Sequence, residues 1–373
     1  MPSEGQDGSG SGPVVIWGAG AMGGSLGAWW SRAGVEVLLV DRDVEHVTAM
    51  RRGGLRITGP VDTFTARVGA ATPSEVSAWL AGETAIATAP GGRPVAPPPS
   101  GRLGAVYLAV KAHHTEPAME VLAPLLSRDG YVVSVQNGLN ERSIATFVGG
   151  ERTVGCFVNF GADLVEPGVV MRGNRGAVVI GELDGLATPR IREVHRLMKL
   201  FDPEAFVTDN IQGFLWGKLA YGAVLFATAL TDASIADVLD APPHRPVLVA
   251  LAREVMAVAE AQGVSPESFD GFDPGAFHPG APENDAMESL DRLVAFNRAS
   301  AKSHSGVWRD LAVRRRKTEV DAQIAVIGEL GREAGVPTPG VDRLVELIHQ
   351  VEDGLRTQSW ETLGALSGQA EGA

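Results

Sequence analysis

Cysteine, basic charge and long apolar runs are all scarce in this chain of 373 residues, and each scarcity excludes a class of protein. Cys156 is the only cysteine, so no disulfide can form within the chain, which favours a reducing compartment. No apolar run approaches the ~20 residues that a membrane-spanning helix needs. Residues 1–13 have neither the basic start nor the apolar core of a signal peptide and predict a disordered lead-in. We therefore expect a cytoplasmic protein.

The charge balance is acidic. The chain has 32 Lys and Arg against 45 Asp and Glu, which gives a formal net charge of −13. Because a protein that binds nucleic-acid phosphates needs a basic face, this charge argues against a nucleic-acid partner. The composition, 45% hydrophobic and 21% charged, is that of a globular chain long enough for two domains. A small-molecule partner is therefore expected.

Glycine is abundant instead, and one glycine-rich turn organises the first half of the chain. The apolar run Val14 to Trp17 enters the turn Gly18-Ala19-Gly20, and a helix is predicted from about Met22. A second apolar run, residues 35–40, ends at the acidic residue Asp41. This order of strand, turn, helix and strand is the context that a G-x-G-x-x-G pattern requires before it indicates a dinucleotide site.

In such a turn the three glycines have separate roles. Gly18 permits the tight turn, Gly20 lets the backbone approach a pyrophosphate, and Gly23 lets the helix pack closely on the strand. Ala21 and Met22 complete the predicted cofactor site, because a helix N-terminus attracts anions. Glycines also cluster in turns for structural reasons alone, but the flanking strands favour nucleotide binding.

The remaining patterns predict two domains. Strands and helices alternate over residues 14–208, interrupted by the proline-rich stretch 82–103, which predicts an inserted surface loop. This alternation favours an α/β Rossmann domain with a doubly wound, mostly parallel sheet. Over residues 209–355 apolar residues recur at helical spacing, which predicts an all-helical domain followed by a tail over 356–373. Within it, residues 263–284 predict a loop or lid.

Five short motifs, in this order along the chain, resemble the ketopantoate reductase family. They are Val110-Lys111-Ala112, Gln136-Asn137-Gly138-Leu139, Trp216-Gly217-Lys218-Leu219, Thr318-Glu319-Val320-Asp321 and Gly335-Val336-Pro337-Thr338-Pro339. The resemblance covers roughly residues 14–350. It implies a Rossmann domain followed by a helical domain, in an enzyme that moves hydride between NAD(P) and a 2-oxo or 2-hydroxy acid or a related ketone.

The resemblance also implies a role for each matching residue. Lys218 matches the catalytic lysine, Glu319 a substrate-contacting acid, Asn137 an active-site amide near the cofactor, and Lys111 a lysine on the nicotinamide side. The chemistry agrees, because hydride transfer places negative charge on the carbonyl oxygen, which a nearby ammonium stabilises and protonates. The alternatives are structural: a surface lysine, a first-turn acid, a turn asparagine and a lysine at a strand end.

The chain departs from the family where substrate would bind. The family's two asparagines after the lysine are replaced by Gly222 and Phe226, which disfavours a small hydroxylated acid such as ketopantoate and favours a bulkier or more apolar 2-oxo acid. Ser303 or Ser305 would supply the family's carboxylate-binding serine. His114 replaces a glutamine, and it either hydrogen-bonds substrate or cofactor or lies neutral at a helix start.

Signals for the cofactor conflict at adjacent residues. Asp41 lies at the end of the second strand, where a carboxylate normally accepts from the ribose hydroxyls and repels a 2′-phosphate, which favours NAD. Arg42 matches the arginine that in the family holds the 2′-phosphate of NADP. Asp43 adds negative charge, so NAD is favoured and NADP stays open. No Cys or His spacing indicates a metal site.

Three other interpretations stay open. The chain could be a genuine NADPH-dependent 2-dehydropantoate 2-reductase, a β-hydroxyacid dehydrogenase of similar architecture, or a catalytically inactive protein that senses dinucleotides. Retention of Lys218 and Glu319 opposes the last of these. The apolar stripes of the C-terminal helices also predict a homodimer.

Overall fold

The computed structural model describes residues 12–299 and 303–367. The predicted lead-in lies almost wholly outside these residues, as does the end of the predicted tail. The described chain divides into two compact units. Unit 1 runs to Gln136 and resumes over Asn140–Asp209, whereas unit 2 consists of Asn137–Leu139 and the chain from Asn210 onward.

Unit 1 combines strands and helices. Its described strands are β1 (Val14–Trp17), β2 (Val37–Val40), β3 (Leu55–Thr58), β4 (Phe64–Ala66), β5 (Gly69–Ala71), β6 (Leu103–Leu108), β7 (Leu126–Ser134), β8 (Thr153–Val158), β9 (Ala162–Glu166), β10 (Val169–Arg172), β11 (Val178–Glu182) and β12 (Phe206–Val207). Its described helices are α1 (Ala21–Arg32), α2 (Val44–Gly53), α3 (Pro73–Leu80), α4 (Thr115–Leu122), α5 (Asn140–Val148) and α6 (Pro189–Phe201).

Eight of these strands form one sheet, in the order β12-β11-β8-β7-β6-β1-β2-β5. All neighbouring pairs in it are parallel except β11 with β8. Alternate residues of β1 face opposite sides of the sheet: Ile16 packs with α1 and α6, whereas Val15 and Trp17 pack with α3, α4 and α5. The predicted doubly wound, mostly parallel sheet is confirmed.

A second sheet, in the order β4-β3-β10-β9, packs against α1. Sequence periodicity gives no sign of it, because its strands are short and β3 pairs with β10 more than a hundred residues later. Arg172 at the end of β10 is fully buried, and its guanidinium lies 4.6 Å from the Trp29 ring and 3.9 Å from the Phe201 ring. These ring faces, with the Asp202 carboxylate 3.6 Å away, offset part of the cost of burying the charge.

The proline-rich stretch that the sequence predicts as an inserted loop contains no helix, and only its last residue, Leu103, where β6 begins, belongs to a strand of the main sheet. It nevertheless contributes to the core, because Ile86 and Val95 are buried and joined by a backbone hydrogen bond of 3.0 Å. The Trp79 indole N–H donates to the Val95 carbonyl oxygen at 2.9 Å. The loop is therefore held against α3 rather than lying wholly on the surface.

Unit 2 is helical, as predicted. Its described helices are α7 (Ile211–Thr228), α8 (Ile235–Asp240), α9 (Arg245–Ala261), α10 (Glu283–Ala299), α11 (Gly306–Ala312), α12 (Val326–Ala334), α13 (Pro339–Glu352) and α14 (Trp360–Gly364), with a π-helical turn over Asp321–Ala325 before α12. Helix α7 packs against α8, α9, α11, α13 and the π-helical turn. It is therefore the central helix of this unit.

The segment predicted as a loop or lid packs closely on α7. Phe269, Phe272 and Phe277 are buried in it, and a Cβ added to Gly213 or Gly217 would lie within 2.7 Å of backbone oxygens of this segment. The two glycines therefore permit close approach of the segment to the helix. Three buried aromatic rings make it part of the packed core of unit 2.

Candidate functional site

The glycine turn between β1 and α1 has the geometry that its sequence predicts. Gly18 has φ +104°, and a Cβ there would lie 2.7 Å from the Ala109 carbonyl carbon; one on Gly23 would lie 2.0 Å from the Gly18 oxygen. A Cβ on Gly20 would meet no atom within 4 Å. Gly18 and Gly23 are thus required by packing, whereas Gly20 faces open space at the start of α1. This arrangement fits a dinucleotide pyrophosphate.

Asp41, directly after β2, is tied to this turn. Its Oδ2 accepts from the Ala19 backbone N–H at 2.8 Å, and its Oδ1 accepts from the Asp43 N–H at 2.9 Å. Asp43 in turn caps α2 by accepting from the backbone N–H groups of Glu45 and His46. The two carboxylates therefore shape the turn, and exposed Arg42 lies between them.

Cationic and imidazole side chains gather at the same edge of the sheet. The ends of β2 and β6 flank β1, because Trp17 pairs with both Val40 and Leu108. Lys111 follows β6, and the rings of His113 and His114 lie 4.0 Å apart between centroids. The edge beside the glycine turn therefore suits an anionic ligand.

The pKa of His114 reflects this setting. Burial first, and then the charges of His113, Arg42 and Lys111, lower that pKa from 6.5 to about 4. The ring is therefore neutral at pH 7, which is compatible with both alternatives that the sequence leaves open. Because the unfolded chain binds this proton more readily, the contribution to stability is complete above pH 6.5 and is lost as pH falls through about 4.

An NMR titration of the histidine rings is expected to place the His114 midpoint near pH 4. Arg42→Gln should move the midpoint upward, because it removes one of the positive charges that oppose protonation. A wild-type midpoint close to 6.5, or one that Arg42→Gln leaves unchanged, would contradict this account of the edge.

A buried polar network joins the ends of two strands to the starts of two helices. The Gln136 amide donates to the Val110 carbonyl oxygen at 2.9 Å and to the Thr115 hydroxyl oxygen at 2.8 Å, and the Thr115 hydroxyl donates to Asn140 Oδ1 at 2.9 Å. Val110 precedes Lys111, and Gln136 precedes exposed Asn137. The network thus fixes the backbone on which both predicted site residues stand.

Lys218 lies on α7, where it is half-buried and the only charged residue among 18. Gly222 follows one turn later, and a Cβ added there would meet no atom within 4 Å. Phe226, two turns after Lys218, is 2% exposed and belongs to the core. Unlike Gly213 and Gly217, Gly222 has no packing reason to be glycine, so the helix has open space beside the turn that follows the lysine.

Glu319 lies two residues before the π-helical turn, which packs against α7. Its neighbour Thr318 is anchored to Glu352, whose Oε1 accepts from the Thr318 backbone N–H at 2.6 Å and from its hydroxyl at 2.7 Å. The Glu319 backbone is therefore held by the hydrogen bonds of Thr318 to Glu352 on one side and by the packing of the π-helical turn on α7 on the other.

The two candidate serines differ in their settings. Ser305 is buried and caps α11, where its Oγ accepts from the Trp308 backbone N–H at 3.1 Å. Its hydroxyl proton remains able to donate to a ligand. Ser303 is exposed, and its Oγ lies 2.9 Å from His304 Nδ1. Because α11 packs against α7, Ser305 stands on an element adjoining the lysine helix.

The predicted residues thus fall into two groups. The cofactor candidates in unit 1 are Gly18, Gly20, Ala21, Met22, Gly23, Asp41, Arg42 and Lys111, with His114 beside them. The candidates in unit 2 are Asn137, Lys218, Gly222, Phe226, Ser303, Ser305 and Glu319. The sequence does not identify Thr115 or His46. Nothing in the local pattern marks either residue, because their partners lie far along the chain.

Within the described ranges no group of three or more His, Cys, Asp or Glu side chains is placed to hold a metal ion. None of the helices in the same ranges has the length and apolarity to cross a membrane.

Two family models match the chain and together account for most of it. The model described as "Ketopantoate reductase PanE/ApbA" matches residues 14–185, and "Ketopantoate reductase PanE/ApbA C terminal" matches residues 210–352. The first range spans the glycine turn and the second spans Lys218 and Glu319. Residues of both predicted groups therefore lie within the matched ranges.

Curated relatives match over nearly their whole length. The chain is 26% identical over 365 residues to the 2-dehydropantoate 2-reductase of Mesorhizobium japonicum, covering 91% of this chain and 97% of that protein. It is 28% identical over 339 residues to the protein of the same name from Halobacterium salinarum, covering 90% and 97%.

Solved structures share the fold. The PanE/ApbA family ketopantoate reductase from Ralstonia eutropha JMP134 matches with a TM-score of 0.71 at 24% identity, covering 92% of this chain and 99% of that one. D-mandelate dehydrogenase with NADH and anilino(oxo)acetate matches with a TM-score of 0.74 at 22% identity, covering 92% and 99%.

Proposed function

Because the chain belongs to the ketopantoate reductase family, we propose that this oxidoreductase moves hydride between a nicotinamide dinucleotide and the carbonyl carbon of a 2-oxo acid or related ketone that is bulkier or more apolar than ketopantoate. The observation that carries the proposal is the presence in one chain of two features: a glycine turn that is open at Gly20, and a helix, open at Gly222, whose one charged residue is Lys218. The runner-up is a genuine 2-dehydropantoate 2-reductase.

In this proposal unit 1 holds the dinucleotide. The backbone from Gly18 to Gly23 takes the pyrophosphate, and Asp41, Arg42 and Lys111 surround the remaining polar groups of the cofactor. When bound, the nicotinamide supplies or accepts the hydride. NAD is the favoured cofactor because Asp41 follows β2, where a carboxylate normally accepts from the ribose hydroxyls and repels a 2′-phosphate. Its two oxygens also accept from the backbone N–H groups of Ala19 and Asp43.

Lys218 is the proposed general acid in reduction and general base in oxidation. An ammonium in a half-buried, apolar setting stabilises the negative charge that grows on the carbonyl oxygen more strongly than one in water would. Glu319 and Asn137 are the proposed orienting residues, and Ser305 is favoured over Ser303 for the substrate carboxylate because its hydroxyl is fixed at the start of α11. The buried placement of Glu352 against Thr318 supports a fixed Glu319.

The substrate class rests on Gly222. An amide at this position would supply a donor and an acceptor for a hydroxylated substrate, whereas the glycine supplies neither and leaves open space one turn from Lys218. One turn further along α7, Phe226 is apolar and buried in the core. A structure of this fold, D-mandelate dehydrogenase, holds anilino(oxo)acetate.

The test is a titration of the purified protein with NADH and NADPH, followed by oxidation of the preferred cofactor against a panel that contains ketopantoate and phenylglyoxylate. We expect NADH to bind more tightly and phenylglyoxylate to be reduced at least about tenfold more efficiently than ketopantoate. Gly222→Asn should lower the ratio of phenylglyoxylate to ketopantoate reduction efficiency, because it introduces an amide one turn from Lys218.

Three outcomes discriminate among the interpretations. NADPH preference with efficient ketopantoate reduction would favour the runner-up. Dinucleotide binding without turnover of any panel member would favour a sensor, and binding of neither cofactor would contradict the site in unit 1. Light scattering on the same preparation tests the proposed homodimer, which a monomer mass would exclude.

A further inference from the structure

A fully buried histidine connects the glycine turn to the second sheet. His46, on α2, places Nε2 2.9 Å from the Ala19 carbonyl oxygen, and its Nδ1 lies 2.9 Å from the Gly168 backbone nitrogen. A backbone N–H can only donate, so Nδ1 accepts and carries no proton. Nε2 therefore carries the ring proton and donates to Ala19, which makes the ring neutral with one defined tautomer.

Both partners of this ring are themselves fixed. The Ala19 N–H donates to Asp41 Oδ2, and a Cβ added to Gly24 would lie 2.9 Å from the Ala19 oxygen. Gly168, in the turn between β9 and β10, has φ +81° and accepts from the Arg56 N–H at 2.9 Å. His46 thus bridges the turn after β1 and the sheet that contains β3 and β10.

The bridge determines the direction of one donor in the turn. The carbonyl of Ala19 and the N–H of Gly20 belong to the same planar trans peptide and point in opposite directions. Since His46 and Gly24 hold the carbonyl on the inner side, the Gly20 N–H faces the other way. That is the side of the residue where a Cβ would meet open space.

We propose that His46 is a positioning residue of the dinucleotide site, which holds the Ala19 carbonyl inward so that the Gly20 N–H is presented to the pyrophosphate. This inference rests on the proposed function. His46 touches no ligand itself, and it acts through the peptide between Ala19 and Gly20.

The test uses two amide variants that each keep one half of the bridge. In His46→Gln the side-chain NH₂ can replace Nε2–H and keep the bond to Ala19, whereas in His46→Asn the side-chain oxygen can replace Nδ1 and keep only the bond to Gly168. We expect His46→Asn to raise the dissociation constant for the preferred dinucleotide about tenfold, and His46→Gln to raise it no more than about threefold. Calorimetric titration of each folded variant measures both constants.

The matched control is His195→Asn. His195 Nε2 also bonds a backbone carbonyl, that of Ala205 at 2.9 Å, but neither His195, on α6, nor Ala205 belongs to the glycine turn. His195→Asn should lower the thermal stability of the protein and leave the dissociation constant for the dinucleotide unchanged. Ring ¹⁵N shifts of the wild-type protein provide a measurement that needs no variant, and they should identify His46 as the Nε2–H tautomer.

Each outcome decides the question. If the wild-type protein binds dinucleotide and His46→Asn binds equally well, or if His46 is the Nδ1–H tautomer, His46 is only structural and the proposed function is unaffected. If the wild-type protein binds neither NADH nor NADPH, the proposed function fails and this inference fails with it. Weakened binding by His46→Asn, with recovery in His46→Gln, supports the positioning role.

Discussion

Replacing Lys218 with alanine is expected to lower kcat/KM by about 10²- to 10⁴-fold, the usual contribution of a positioned general acid. In the proposed mechanism the variant lacks the ammonium that would stabilise and protonate the developing alkoxide. The helix should persist, because alanine is the best helix former and the lysine is only half-buried on α7. Steady-state kinetics with the preferred substrate, and calorimetric titration with the preferred dinucleotide, measure the two effects separately.

The binding constant makes this prediction specific. The cofactor candidates of the glycine turn belong to unit 1, whereas Lys218 belongs to unit 2, so the affinity for dinucleotide should change little. Lys199→Ala, an exposed lysine on α6, is the matched control and should retain wild-type kinetics. If Lys218→Ala keeps kcat/KM within about threefold of the wild-type value, Lys218 is not the proton donor.

The part of the fold that could be predicted is the part that local pattern determines. The glycine turn, the alternation in unit 1 and the helical periodicity of unit 2 each arise from residues close together in sequence. The sequence does not predict the second sheet, because β3 pairs with β10 and most strands of the main sheet lie between these two in the sequence. The same distance explains why His46 was missed: its two partners are Ala19 and Gly168.

The site residues show the same limit in a different form. Sequence alone cannot separate a glycine required for packing from one that leaves space. Gly213 and Gly217 permit the approach of a neighbouring segment, whereas Gly222 on the same helix has no such neighbour. Likewise, Asp41 matches a ribose-binding acid by position, yet its carboxylate is also part of the turn, because it accepts from Ala19. Only the packed structure assigns these second roles.

Two alanine substitutions in the glycine turn should have different effects: Gly23→Ala should lower the stability of the fold, and Gly20→Ala should weaken the binding of dinucleotide. In Gly23→Ala the new Cβ would lie 2.0 Å from the Gly18 carbonyl oxygen, so either the helix or the turn must move. We expect a loss of about 3 kcal/mol in the free energy of unfolding, at the upper end of the usual cost of overpacking. In Gly20→Ala the Cβ meets no protein atom, and φ is −63°, which alanine adopts readily.

Gly20→Ala should therefore be at least as stable as the wild type, with a gain of up to about 1 kcal/mol because alanine restricts the unfolded chain. Its affinity for dinucleotide should nevertheless fall about a hundredfold, since in the proposed site the methyl group would occupy the side that the pyrophosphate approaches. Gly104→Ala, in β6 with open space for a Cβ, is the matched control and should bind normally. Urea unfolding and calorimetric titration separate stability from binding. A stable Gly20→Ala protein with wild-type affinity would place the pyrophosphate elsewhere, because no bound phosphate could then lie against Gly20.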